Sequence, residues 1–170
     1  MNNRKIAGLL LSVGGILYVL GTVIGDKYGN TTIFNLFVLL LGVFMVIGSY
    51  FVQLTFKFEI FSILLAIAGI GTAALGLLTQ DSMIYFMFAG IAYVSFALSA
   101  FISYKYEESP LGYISIALGL FTLIALILWV SGLELSPGIT VTPIIADFPI
   151  LLWLISFGAH IIGPSTDGNN

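Results

Sequence analysis

Hydrophobic positions fill this chain in six long blocks, parted by short polar breaks. The blocks run Ile6–Gly25, Ile33–Gln53, Ile60–Thr79, Met83–Tyr104, Leu111–Gly132 and Ile144–Gly163. Each is about 20 residues, the length at which a helix crosses a hydrocarbon core of about 30 Å. Apolar residues are continuous within a block rather than alternating, which favours helices over barrel strands. The pattern predicts an all-α integral membrane bundle of six transmembrane helices in one domain, residues 1–163, followed by a polar tail, 164–170. Arg4 and Lys5 precede the first block as they would in a signal peptide. No A-x-A-like cleavage site follows, so that block is expected to stay as a span.

The breaks carry turn chemistry. Asp26-Lys27-Tyr28-Gly29-Asn30 closes the first block, and Thr79-Gln80-Asp81-Ser82 parts the third from the fourth. Glu107-Glu108-Ser109-Pro110 precedes the fifth, with Pro110 suited to a first helical turn and the two glutamates read as a solvated turn. The longest connection is about Leu133–Thr142. Two starts are open for the sixth helix: Thr142-Pro143, or Asp147 as N-cap with Pro149 in the first turn. With the N-terminus cytoplasmic, Arg4, Lys5, Lys57 and Lys105 fall inside and Lys27 alone falls outside, as the positive-inside rule asks. An even number of spans returns the C-terminus to the cytoplasm. The outer rim, with Asp26, Asp81, Glu134 and Asp147, is then acidic.

Composition agrees with the pattern and narrows the chemistry. Hydrophobic residues make up 59% of the chain and charged residues 8%, with a mean hydropathy of +1.14; soluble domains carry about 25% charged residues. Five Lys+Arg against eight Asp+Glu give a net charge of −3, so no basic patch suits a nucleic acid. The absence of cysteine excludes disulfides, iron–sulfur clusters and thiolate metal sites. No cofactor is expected. His160 is the only histidine, too few for a haem or zinc site. The segment around it is similar to the histidine helix of rhomboid proteases, but the Gly-x-Ser-Gly run that those enzymes need is missing. No enzyme activity is expected.

Two groups of residues stand out. Gly21 and Gly25, then Ala68, Thr72 and Gly76, then Ser95, Ser99 and Ser103, stand at spacings that let helix backbones approach closely, and are read as packing ridges. Asp26 and Asp147 fall near the outer ends of spans. Their structural reading is a helix cap or a water-facing acid. Their functional reading is an outward-facing cation or proton site made with Asn35, with Trp153, deep in the sixth block, as a further pocket candidate. Polar groups within the spans look too few for a proton wire. Trp129, Tyr104, Tyr106 and Tyr113 fit interfacial belts. Asn30-Thr31-Thr32 forms a glycosylation sequon in a very short outer loop.

Several short stretches, in order, resemble a known family. They are Ile33-Phe34-Asn35-Leu36 with Leu40-Leu41-Gly42; Ser103-Tyr104-Lys105; Tyr113-Ile114-Ser115-Ile116 with Leu118-Gly119; and Pro149 to Ile155 with Phe157-Gly158. This order is similar to domain-of-unknown-function family 998, small multi-pass membrane proteins common in archaea. The resemblance spans about Ala7 to Gly163 and implies a six-helix bundle with no established activity. Family members carry a polar stretch before the sixth span, where this chain has Thr142-Pro143-Ile144-Ile145-Ala146.

The expectation is therefore a polytopic protein of the plasma membrane. Its first reading is a structural or accessory subunit, packing through its small-residue ridges against another membrane protein or itself. The alternative is a small transporter or lipid- or hydrophobe-binding protein, with an outward-facing pocket at Asp26, Asn35, Asp147 and Trp153.

Overall fold

Helix ends fall where local chemistry starts or stops the hydrogen-bond ladder. The computed structural model describes residues 2–28, 31–57, 59–78, 82–107, 109–132, 134–136, 139–140 and 143–163; side chains are described for all of these except 26–28, 134–136, 139–140 and 143–146. Six helices result: α1 (Asn3–Tyr28), α2 (Thr31–Phe56), α3 (Glu59–Leu75), α4 (Met83–Ser103), α5 (Leu111–Ser131) and α6 (Pro143–Ile162). The hydroxyl of Ser82 caps α4 by accepting from the Tyr85 N–H at 3.1 Å. Gly132, at φ +63°, closes α5 in the left-handed region that a glycine enters freely. Between α5 and α6 a small antiparallel hairpin pairs β1 (Glu134–Ser136) with β2 (Ile139–Thr140).

One boundary differs from expectation. α3 stops at Leu75 rather than reaching Thr79. The Gly76 N–H still bonds the Thr72 carbonyl at 3.3 Å, but the Leu77 N–H turns to Ala74 at 3.0 Å, and this tighter step ends the helix. Of the two starts open for the sixth helix, the structure takes the one at Pro143, whose missing N–H costs nothing in a first turn. Asp147 therefore lies in the second turn and is not the N-cap. Pro149 sits inside the helix and offers no N–H to the carbonyl four residues back.

Length and composition qualify four helices, α1, α2, α4 and α5, to cross a membrane, rather than the six expected. α3, at 17 residues, and the stretch Asp147–Ile162 of α6 are shorter apolar helices. The helices form a closed ring in which each packs on its neighbours in sequence and α1 meets α6. Small residues let the seams close: a Cβ on Gly71 of α3 would stand 3.0 Å from Ala92 of α4, and one on Gly119 of α5 would stand 2.7 Å from Phe101 of α4. α4 and α6 also touch across the ring. There the fully buried Trp153 stacks on Phe157, with centroids 4.8 Å apart, and meets Phe96 edge-on at 4.9 Å. The outer surface is apolar, with Ile60, Ile63 and Ile70 of α3 and Phe121, Ile124 and Ile127 of α5 all more than half exposed. A surface of that kind suits lipid better than water.

Candidate functional site

The side chains facing the ring interior recur at helical spacing, and three such stripes end in polar groups that meet. On α1 the stripe is Ala7, Leu11 and Tyr18; on α4 it is Tyr85, Ala89, Ala92, Tyr93 and Phe96. On α6 it is Ile150, Leu151, Leu154, Phe157 and Ile161. Counting back one turn from Ile150 and Leu151 along α6 reaches Asp147, so a carboxyl group occupies a position that the helix period assigns to the core.

Both oxygens of that carboxyl group are used. The Tyr18 hydroxyl donates to Asp147 Oδ2 and the Tyr93 hydroxyl donates to Asp147 Oδ1. Two accepting oxygens are the arrangement of an ionised carboxylate. The tyrosines are almost wholly buried, and their rings are fixed from behind. Tyr18 lies edge-on to Phe34 at 5.7 Å, while Trp129 of α5 lies 6.0 Å from Tyr93 and 6.3 Å from Tyr85.

Asp147 opens on a cavity of ≈ 40 Å³, which Tyr18, Asn35, Thr72, Tyr85 and Tyr93 also line; its other walls are apolar. On this measure one water needs about 10–15 Å³, and a cavity that holds benzene has about 150 Å³. The space suits a few waters or one small ion, not an acyl chain. Among the described residues no Lys, Arg or His lines it. The carboxyl group thus has hydrogen bonds but no counter-charge among the described side chains. Among the described residues no three His, Cys, Asp or Glu side chains gather as a metal site would require.

The residues singled out from sequence are distributed as follows. Asn35 and Asp147 line the same cavity. The side chain of Asp26, at the end of α1, lies outside the described residues, as do Asn30 of the sequon and Asp81. Trp153 does not reach the cavity; its indole N–H donates to Ser103 Oγ at 3.2 Å within the aromatic core. Gly21, Gly25, Ala68, Gly76, Ser95 and Ser99 are all buried in the bundle's own seams, and Thr72 lines the cavity. Tyr104, Tyr106 and Tyr113 are exposed, whereas Trp129 packs behind the tyrosines of the site. Glu107 is half-buried, because Ser115 Oγ donates to its carboxyl group, so the solvated-turn reading of that residue does not hold.

The three tyrosines were not singled out from sequence. The signal lay in the α6 stripe: an acid in register with core positions needs donors at the same depth, and Tyr18 and Tyr93 are polar members of their own core stripes. No protein-family model, curated protein or solved structure matches the chain. The fold and site define it as an all-α bundle, fit for a membrane, with an acid inside that meets no cation among the described residues.

Proposed function

We propose that this chain is a multi-pass plasma-membrane protein that binds a small cation in an outward-facing pocket, in the manner of a small transporter. The observation that carries this reading is the carboxyl group of Asp147. It lies inside the bundle, accepts from two tyrosine hydroxyls and, among the described residues, meets no cationic side chain around its cavity. A carboxylate at such a place in a membrane is costly and is retained where it serves an ion or a proton. A monovalent cation or a proton supplies the missing charge, with Asn35, Thr72 and the tyrosine oxygens as neutral partners. The cavity volume argues against the lipid-binding form of the reading.

In this reading all six helices cross the bilayer. The 17 residues of α3 reach about 25 Å, the lower limit for a span, between two longer neighbours. Arg4, Lys57 and Lys105 stand at helix ends on one side of the ring, which supports cytoplasmic termini. The resemblance to domain-of-unknown-function family 998 agrees with six spans. The accessory-subunit reading comes second. Its small-residue ridges are taken up by the bundle's own seams, and α5, whose buried residues are only Gly112, Ser115, Gly119 and Thr122, is the face left for a partner. No catalytic role belongs to either reading.

The test uses the purified full chain in detergent with choline as background cation. Sodium, potassium or added protons are expected to raise the wild-type melting temperature and to change the emission of Trp129. Asp147→Asn is expected to lose that response. A wild type indifferent to all three, or an Asp147→Asn variant that responds equally, refutes the reading.

A further inference from the structure

The end of the bundle opposite Asp147 holds a second carboxyl group that the cation pocket does not use. Glu107 follows α4 in the chain and folds back beneath α5. Its Oε2 accepts from Ser115 Oγ, and the Ser103 hydroxyl stands beside it. Both serines are buried, at 2% and 0% exposure, so the carboxyl group meets the interior through hydroxyls alone. Its other side lines an open cleft of ≈ 240 Å³ with Tyr104, Lys105, Ser109 and Tyr113. Glu107 thus joins a solvent-filled cleft to buried polar groups.

The surrounding chemistry is that of proton exchange. A hydroxyl donates to a carboxylate and accepts from a carboxylic acid, so Ser115 satisfies Glu107 in either state, while the Ser103 hydroxyl beside it also reaches the Ala100 carbonyl at 2.8 Å. The charged groups described at this end are Lys105 on the same turn, His160 in the last turn of α6, Lys5, Lys57 and Glu59 at the ends of α1, α2 and α3, and Arg4, whose Nε donates to the Ile161 carbonyl at 2.8 Å. None of them is described in contact with the carboxyl group, and no cluster of metal ligands forms there among the described residues. Burial pushes the Glu107 carboxyl above the usual glutamate range, while the hydrogen bonds from Ser115 and Ser103 and the charge of His160 oppose that rise.

Ser103 links this end to the middle of the bundle. It takes the indole N–H of Trp153 at 3.2 Å. Along α6, Trp153 stands about 9 Å from Asp147 and about 10 Å from His160, close to midway. Beneath Asp147 and above Glu107, Trp153, Phe61, Phe96 and Phe157 form an apolar plug. Two carboxyl groups on opposite sides of one aromatic plug are the arrangement of a path with two mouths.

We propose that Glu107 is a proton-exchange site at the cytoplasmic mouth of a path whose other mouth is Asp147, with Trp153 as the barrier between them. This rests on Asp147 as the ion site and names the proton as the ion moved. The step is an exchange without redox: hydronium in the cleft gives its proton to the Glu107 carboxylate, leaving water and a neutral acid.

Two measurements test it. A hydrophobic carbodiimide, which adds to protonated carboxyl groups, is applied to the purified full chain across a range of pH, and adducts are located by peptide mass spectrometry. Glu107 is expected to be modified with a labelling midpoint above the usual glutamate range. Ser115→Ala and Ser103→Ala are expected to raise the labelling midpoint by about one pH unit, a tenfold change in proton affinity. In proteoliposomes enclosing a pH-sensitive dye, an imposed proton gradient is expected to drive uptake in the wild type, and Glu107→Gln is expected to abolish it. The proposal fails if the Glu107 labelling midpoint stays within the usual glutamate range, if Glu107→Gln leaves uptake unchanged, or if the wild type takes up no protons. Labelling is repeated in Asp147→Asn. Glu107 adducts that persist there, alongside a missing cation response, count against the Asp147 reading and not against the Glu107 site.

Discussion

Asp147 and its two tyrosines form a unit whose stability follows a sign rule that ordinary core residues do not share. Each tyrosine hydroxyl gives one hydrogen bond to a carboxyl oxygen. Bonds to charged groups contribute about 1.5–3 kcal/mol in soluble proteins, whereas cross-helix bonds inside membranes average about 0.6 and reach about 1.7 kcal/mol. The two ranges meet near 1.5 kcal/mol, so Tyr18→Phe and Tyr93→Phe are each expected to cost about that much. Together they are expected to cost more than twice as much, because the second substitution strips a buried acid of its last tyrosine donor. The triple variant Tyr18→Phe/Tyr93→Phe/Asp147→Leu removes the acid as well. Its leucine has the ≈ 40 Å³ cavity to enter, and it is expected to match or exceed the wild type. Reversible unfolding in mixed micelles, followed by tryptophan emission, measures the four variants and the wild type. A triple variant less stable than the Tyr18→Phe/Tyr93→Phe pair would show that the acid is a structural keystone, and the reasoning would fail.

Four further outcomes can be checked. Gly119→Leu drives a side chain into Phe101, where even a Cβ stands at 2.7 Å, and is expected to destabilise the bundle by about 1–3 kcal/mol in the same unfolding assay. Lys57→Gly relieves a left-handed backbone, φ +55°, at the end of α2 and is expected to gain about 0.5–1 kcal/mol there. A reporter fused after Asn170 is expected to be active only in the cytoplasm; an external signal refutes the topology. Because the folded state raises the Glu107 pKa, the folded chain holds this proton where the unfolded chain has lost it. In an Asp147→Asn background, stability is therefore expected to fall as pH rises from the ordinary glutamate range to the raised one, and Glu107→Gln is expected to flatten that slope.

Much of the fold is legible in the chain because blocks of about twenty apolar residues leave few alternatives to helices. The boundaries were harder to read. Thr79 looks like the natural end of a span, yet α3 tightens and stops near Gly76. Asp147 followed by Pro149 reads as a cap and first turn as readily as Thr142-Pro143 reads as a start, and Pro143 is where the helix begins. That start puts Asp147, legible with Asn35 as a pocket candidate, at a core position, while its tyrosine donors went unread. Glu107 was misread for a related reason: its neighbours in sequence are polar, but the groups it meets, Ser103 and Ser115, belong to the buried faces of two helices. A lipid-facing stripe and a core stripe carry the same residue types, so apolar pattern alone does not say which way a tyrosine points.

The closure of the ring also fixes when the cation pocket comes into being. Tyr18 comes from the first helix and Asp147 from the last, and Arg4 of α1 is tied to the Ile161 carbonyl of α6. In the proposed six-span reading, the five earlier helices enter the membrane with Tyr18 and Tyr93 still lacking their acceptor, and the acid arrives last, into a set of donors already assembled, which lowers the cost of carrying it into the bilayer. A chain cut short before α6 has tyrosine hydroxyls but no carboxyl group, and an open seam between α1 and α5. Completion of translation and completion of the pocket are thus one event, and an unfinished chain exposes a polar, unclosed interior that quality-control proteases can recognise.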